Sequence, residues 1–384
     1  MKILFTGDIN FRNAEDIAAE KPESLVCEVK SVFDDADIRI VNLETPLSDI
    51  KTAEPIRKCG PNLIAPKKDI ALLTALRADA AAVANNHIGD YGDKAIIDTL
   101  NLLDSEGIAH FGAGKNTDDA YRAYRLEREG ISVSVIGACE NEFGMATKNT
   151  YGSAGYDVRT VFRRIREEKA VSDFVIIFFH GGNEYNPIPS PALRERYRLF
   201  CDMGADAVVA THTHCPEGYE IYDGKPIVYS MGNFFFKASD PAAAKPNWFY
   251  GYMTKLIIKN GKITVVPVPY KFEQETSVIR LLTGEAKARF DNYLEKISAP
   301  IASDEKIKKY FMGWVWCHKR APVQFDEGLE PRLYTSSFNT VACEAHAEVL
   351  AELFRIYHFE RQEEAEKWSK KIISLQEEAA EIMP

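Results

Sequence analysis

The chain has 384 residues, a formal net charge of −10 and 46% hydrophobic residues. That length exceeds one average domain, so a large core with a smaller appended region is expected. The acidic balance, without a basic block, argues against nucleic acid as a partner, and no run approaches the roughly 20 apolar residues that a membrane-spanning helix needs.

In chain order, β-rich apolar runs at 2–6, 37–41, 79–84, 108–112, 132–137, 173–179, 206–210 and 226–230 read as strands. Several are continuous rather than alternating, as expected where both faces are covered. The first is too short for a signal peptide and is ended by Asp8, which points to a cytoplasmic protein. Cysteines 27, 59, 139, 201, 215, 317 and 343 show no Cys-x-x-Cys spacing and read as reduced, mostly buried residues. Between the strands, 23–33, 69–76, 94–103 and 193–203 have the helical period. A late pair, 253–259 and 262–268, is joined by Asn260-Gly261, a hairpin signal. These alternations predict a layered α/β core over residues 1–271. From 272 to 384 strand signals fade, and 341–353 and 360–381 read as charged helices of a mainly helical C-terminal extension.

Polar residues cluster just past the ends of the predicted strands. Asp8 follows the first, Glu44 the second, Asn85-Asn86-His87 the third, His180 the run at 173–179, and His212-Thr213-His214 the run at 206–210. In layered α/β proteins, loops converge and ligands bind at that edge. Side chains two apart on an extended segment face the same way, so His212 and His214 are expected to share one site. Imidazole and carboxylate together suit Mn, Fe, Zn or a similar divalent ion, and a carboxylate can bridge two of them. The alternative for each residue is a helix cap, a turn or a strand-end histidine satisfied by the backbone.

The segments Gly7-Asp8-Ile9-Asn10, Asn42-Leu43-Glu44-Thr45-Pro46-Leu47, Ala84-Asn85-Asn86-His87-Ile88-Gly89-Asp90, His180-Gly181-Gly182-Asn183-Glu184-Tyr185, and Thr211-His212-Thr213-His214 through Ser230-Met231-Gly232-Asn233 carry a family resemblance. Over residues 1–270 the chain resembles the CapA family, named for poly-γ-glutamate capsule biosynthesis and itself similar to the calcineurin-like metallophosphoesterases. The resemblance implies an α-β-β-α sandwich of metallophosphoesterase type holding one or two divalent ions. Asp8 and His214 would hold one, Asn86, His180 and His212 the other, and Glu44 would bridge them. His87 would protonate a leaving oxygen or steady the transition state, oriented by Asp90. Three positions depart from the phosphoesterase pattern: Asn10 replaces a second histidine, Glu44 a bridging aspartate, and Asn85 a glycine.

Candidate substrate contacts are Asn10, Arg12, Arg57, Lys58 and Asn233, with Lys115 a further cation beside a motif loop. Trp314, Trp316 and Phe338 are candidates to shape a pocket, although such aromatics more often build a core. His110, His318, His346 and His358 lack motif context and are assigned to packing or surface. The leading expectation is a phosphoesterase-like, metal-dependent hydrolase acting on a small or polymeric anionic substrate, linked to capsule or surface-polymer metabolism. Alternatives are a non-catalytic polymer-binding or biosynthesis factor, and a γ-glutamyl amide hydrolase using Arg57 and Lys58 as a carboxylate clamp.

Overall fold

The structure is a computed structural model that describes residues 1–382 apart from 15, 50, 320–322, 324–327 and 329. The strands of the first part are β1 (Lys2–Asn10), β2 (Ile38–Leu43), β3 (Ala80–Ala82), β4 (Ala109–Phe111), β5 (Ala113–Gly114), β6 (Tyr124–Arg128), β7 (Ile131–Cys139) and β8 (Gly152–Ser153). Those of the second are β9 (Phe174–His180), β10 (Ala207–Thr211), β11 (Tyr219–Tyr222), β12 (Lys225–Val228), β13 (Asn233–Phe236), β14 (Tyr250–Lys259), β15 (Lys262–Phe272) and β16 (Ile279–Leu281). One sheet runs β16-β15-β14-β1-β2-β3-β4, with β13 paired to the far half of β1. The other runs β11-β12-β10-β9-β7-β6.

Side-chain alternation explains the layering. On β1, Ile3 and Phe5 point between the sheets, where they meet Val133, Ile176, Phe178 and Val209 of the second sheet. Leu4 and Ile9 point outward, under Leu25, Val29, Leu72 and Ile96 from the flanking helices. The second sheet repeats the device: Ile177, Phe179 and Val208 face outward and are covered by Val161, Ile165, Tyr197 and Phe200. The result is an α-β-β-α sandwich, and burying each large side chain contributes about 1.5–3 kcal/mol. β1 to β4 are mutually parallel, as are β7, β9, β10 and β12. Asp8 lies within β1, beyond the strand end expected at residue 6, and His180 is the last residue of β9, while the loops after β2, β3 and β10 supply Glu44, Asn86 and the His212/His214 pair; all meet at one edge.

Several boundaries differ from the sequence expectation. The helix expected at 23–33 is two short helices, Pro22–Val26 and Lys30–Asp34, and that at 69–76 opens as a 3-10 turn, Lys67–Ile70. The helix Val158–Lys169 was hidden by its charge: it buries Val161 and Ile165 and is capped by Asp157, which accepts from Thr160 N at 2.8 Å. The helix expected at 341–353 is broken at Cys343, whose φ −74 and ψ 131 are extended. Helices Pro331–Ala342, Glu344–His358 and Gln362–Glu378 result, preceded by Gly284–Ser298 and Asp304–His318. β16 lies beyond the expected boundary at 272 and still joins the first sheet.

The extension has its own core of Phe311, Met312, Trp314, Val315, Val349, Ile356 and Ile372. Gly313 permits the close helix crossing there, because a Cβ would stand 2.5 Å from Trp368 C. It is also bonded to the site loops: Gln376 Nε2 donates to Tyr185 O at 2.7 Å, Ser190 Oγ to Glu348 at 2.5 Å, and Asn141 Nδ2 to Glu344 at 2.6 Å.

Candidate metal centre

Asp8, Glu44, Asn86, His180, His212 and His214 come together although the first and last are 206 positions apart, and each is at most 7% exposed. On one side, oxygens of Asp8 and Glu44 and a ring nitrogen of His214 lie within 4.8 Å of one another. His214 Nδ1 is 3.5 Å from Asp8 Oδ2 and its Nε2 is 3.8 Å from Glu44 Oε1. On the other side, His180 Nε2 is 3.1 Å from both Asn86 Oδ1 and His212 Nδ1. Asp8 stands between the halves, with Oδ1 3.8 Å from His180 Nδ1.

Glu44 Oε1 is buried and has no hydrogen-bond donor among the described residues, while His87 Nε2 and His214 Nε2 each stand 3.8 Å from it. A buried carboxylate oxygen left unpaired is costly. The gap and the surrounding nitrogens and oxygens fit a divalent cation, so the donor set suits the metal that the resemblance implies.

Electrostatics agree. Burial, with Asp8 adding to it, pushes the Glu44 carboxyl up to about 8. Burial opposes the charged form of His214, but Glu44 and Asp8 outweigh it and push the ring up to about 10. Burial, then the neighbouring imidazoles, hold His180 and His212 well below the ordinary histidine range, so these rings are neutral with lone pairs to offer.

The route by which His212 and His214 converge differs from the expectation. They do not lie on an extended segment: β10 ends at Thr211, and the two residues have φ 104 and 56. Such left-handed backbone is strained for a histidine, at a cost of about 1–3 kcal/mol each.

His87 and Asp90 are both buried, and Asp90 Oδ2 is 2.7 Å from His87 Nδ1, which turns Nε2 toward Glu44. Burial, then the Lys58 ammonium, lowers the proton affinity of His87. Asn85 shapes this turn: its Oδ1 accepts from His87 N and Ile88 N at 3.0 and 2.7 Å.

The candidate substrate contacts divide. Arg12 lines a cavity of about 470 Å³ that also reaches His87 and His214. Lys58 is not available to an anion there: its side chain is 2% exposed and its ammonium is bonded to Asp90 at 2.5 Å, standing 3.1 Å from His87 Nδ1. Arg57 is exposed and does not line the cavity, so the Arg57/Lys58 clamp is not formed. Asn10 and Asn233 serve neighbouring residues. Asn10 Nδ2 donates to Glu44 Oε2 at 3.4 Å; Asn233 Oδ1 is 3.0 Å from His214 Nδ1 and its Nδ2 donates to His214 O at 3.1 Å. Lys115 lines a different surface cleft.

Other residues take these places, among them His318, which the sequence assigns to packing or surface. The cavity walls are Tyr185, Phe236 and Trp248, with Lys245 and His318 at its rim, whereas Trp314 lies in the extension's core, Trp316 donates to Glu366, and Phe338 is 62% exposed. Glu142 Oε1 is 4.0 Å from His212 Nε2. Glu142 follows β7 as Asp8 follows the apolar start of β1, so the strand-end signal extends to it.

A family profile described as bacterial capsule synthesis protein PGA_cap matches residues 2–238. The PGA biosynthesis protein CapA of Bacillus subtilis is 30% identical over 79% of this chain and 83% of its own. The capsule biosynthesis protein CapA of Bacillus anthracis is 31% identical over 40% of this chain and 39% of its own. Among solved structures, a hypothetical protein from Thermus thermophilus is similar at a TM-score of 0.43 and 17% identity over 71% of this chain and 99% of that one. No helix among the described residues is long and apolar enough to cross a membrane. The motif loops and the profile match agree, and the chain belongs to the PGA_cap family of bacterial capsule synthesis proteins.

Proposed function

We propose that the chain is a metal-dependent hydrolase of phosphoester-like bonds in an anionic, small or polymeric substrate of capsule or surface-polymer metabolism. The observation that carries the reading is the unpaired, buried Glu44 Oε1 between His87 Nε2 and His214 Nε2. Asp8 and His214 would hold one cation, Asn86, His180 and His212 a second, and Glu44 both; Mn, Fe and Zn suit such donors. Bound cations of this kind lower the pKa of water toward neutrality and offset negative charge growing on the substrate.

The chain's own residues supply the rest. Asp90 accepts the His87 Nδ1–H, leaving Nε2 directed at the cavity, where the protonated ring hands its proton to the leaving oxygen. Because burial and Lys58 keep that protonated form scarce at neutral pH, turnover is expected to rise toward acid until the metal ligands themselves take up protons. Arg12 and Lys245 flank the cavity and would hold the substrate's remaining anionic groups.

The test compares chelator-stripped protein with protein reloaded with Mn, Fe or Zn on aryl phosphomonoester, aryl phosphodiester and γ-glutamyl amide substrates. Turnover restored by metal and lost in Asp8→Ala and His214→Ala, with circular dichroism unchanged, is the expected result. Cleavage of the amide alone would move the reading to amide hydrolysis. Absence of turnover with every metal, together with retention of poly-γ-glutamate, would replace it with the binding factor that the relatives' biosynthesis names favour.

A further inference from the structure

We propose that Glu142, Cys343 and His346 form a separate cation site that joins the helical extension to the core. One carboxylate oxygen, the sulfur and one ring nitrogen of these residues lie within 4.8 Å of one another. Glu142 comes from the loop after β7, Cys343 is the N-cap of the helix Glu344–His358, and His346 stands in that helix's first turn. No motif of the family resemblance includes any of the three. The set is softer than Asp8, Glu44 and His214, because sulfur replaces one carboxylate, and it suits Zn or Co.

The surroundings call for positive charge. Cys343 is buried among Glu140, Glu142 and Glu344. Glu140 is paired with Arg196 at 2.9 Å, and Glu344 accepts from Asn141 N and Nδ2 at 3.0 and 2.6 Å. Glu142 Oε1 stands 4.0 Å from His212 Nε2, and burial keeps that imidazole neutral, so it supplies no counter-charge. The ring of His346 is steadied by Asn339, whose Nδ2 is 3.2 Å from its Nδ1 and whose Oδ1 is buried without a donor. Turning that amide over would bring Oδ1 to accept the Nδ1–H, the way a ligating imidazole is usually held, and leave the other ring nitrogen to the cation. On binding, the Cys343 S–H bond breaks, sulfur bonds the cation, and the proton leaves to solvent.

The site also touches the first centre. Glu142 faces His212 Nε2, while His212 Nδ1 faces His180, so one carboxylate spans the extension's cation and the imidazole of His212. Docking of the extension would thereby set the orientation of that ring. The proposal does not rest on the hydrolase reading.

The test is titration of the stripped, full-length protein with Co(II), reading thiolate-to-cobalt charge-transfer absorption. The band should reach the amplitude of about one thiolate-bound cobalt per chain, disappear in Cys343→Ser, and persist in the Asp8→Ala/His214→Ala double variant, which lacks two of the six ligands assigned to the first centre. No band in the wild type, a band unchanged in Cys343→Ser, or a band lost in the double variant would each overturn it. Should Cys343→Ser fail to fold, Glu142→Gln and His346→Gln read the same absorption: altered position or intensity supports the site, and two unchanged spectra refute it. Turnover is not read, so failure here and failure of the hydrolase reading are separate results.

Discussion

Replacing Asp90 by Asn keeps the shape of a side chain that is fully buried and removes its charge. The carboxylate takes the Lys58 ammonium at 2.5 Å, Leu63 N at 2.7 Å and the His87 ring at 2.7 Å. Asp90→Asn leaves the Lys58 ammonium, 2% exposed, without its counter-charge. Stranding one member of a buried pair costs about 3–5 kcal/mol, a large part of the ~5–15 kcal/mol by which proteins are stable. For a chain of 384 residues, with an unfolding entropy of about 2.1 cal/mol/K per residue, that corresponds to a fall in Tm of roughly 4–6 °C. Adding Lys58→Met removes the stranded charge and sets an apolar chain near Phe143, whose ring centroid is 5.9 Å from Nζ. Buried pairs exchanged for apolar groups are often near neutral, so the double variant should recover most of the loss. Urea unfolding of the wild type, both single variants and the double variant completes the cycle. Asp90→Asn within about 1 kcal/mol of wild type, or a double variant no more stable than that single one, would refute the assignment of Lys58 to Asp90 rather than to substrate.

Gly7→Ala should destabilise the protein by about 1–3 kcal/mol or more, because the new Cβ would sit 1.9 Å from Gly232 O where β1 meets β13. Thermal melts, with metal affinity by calorimetry, check it, since Asp8 must move too. Glu44 and His214 titrate as one buried pair, whose upper limits of about 8 and about 10 lie above the ordinary values of 4.5 and 6.5 at which the unfolded chain releases its protons. Stripped protein should therefore lose stability as pH rises between those limits, and metal-loaded protein should not, because the cation replaces the protons; urea midpoints against pH decide it. Arg12→Ala should raise KM for an anionic substrate about 10-fold with kcat little changed. Lys245→Ala, at an exposed position, should do less, and steady-state kinetics at two salt concentrations separate the pair.

The layered fold was legible because two periodicities recur. Continuous apolar strands such as Phe174–His180 announce a sheet covered on both faces, and polar residues directly after them announce the edge where loops meet. What escaped depends on pairings that no local pattern encodes. The amphipathic period of Glu344–His358 says that one face is buried, but not that Glu344 reaches Asn141, 203 positions away, or that His346 returns beside Glu142. Lys58 reads as an available cation because it flanks a motif loop. Only the path of the chain reveals that Asp90 has already taken it.

His212 and His214 come near one another by a route that the strand period does not describe. An extended strand would carry both rings off the same face, side by side and aimed at one point. In the structure their φ values of 104 and 56 place them after the strand has ended, with ring planes inclined by 45° and centroids 5.9 Å apart. His212 turns to His180, and His214 turns to Asp8 and Glu44. The strained turn thus lets one three-residue segment serve both halves of the centre, which an unstrained strand end could not do. Conformations costing about 1–3 kcal/mol each persist where the surrounding structure over-determines them. Here Asp8 supplies that constraint, accepting from His212 N at 3.2 Å while standing 3.5 Å from the His214 ring.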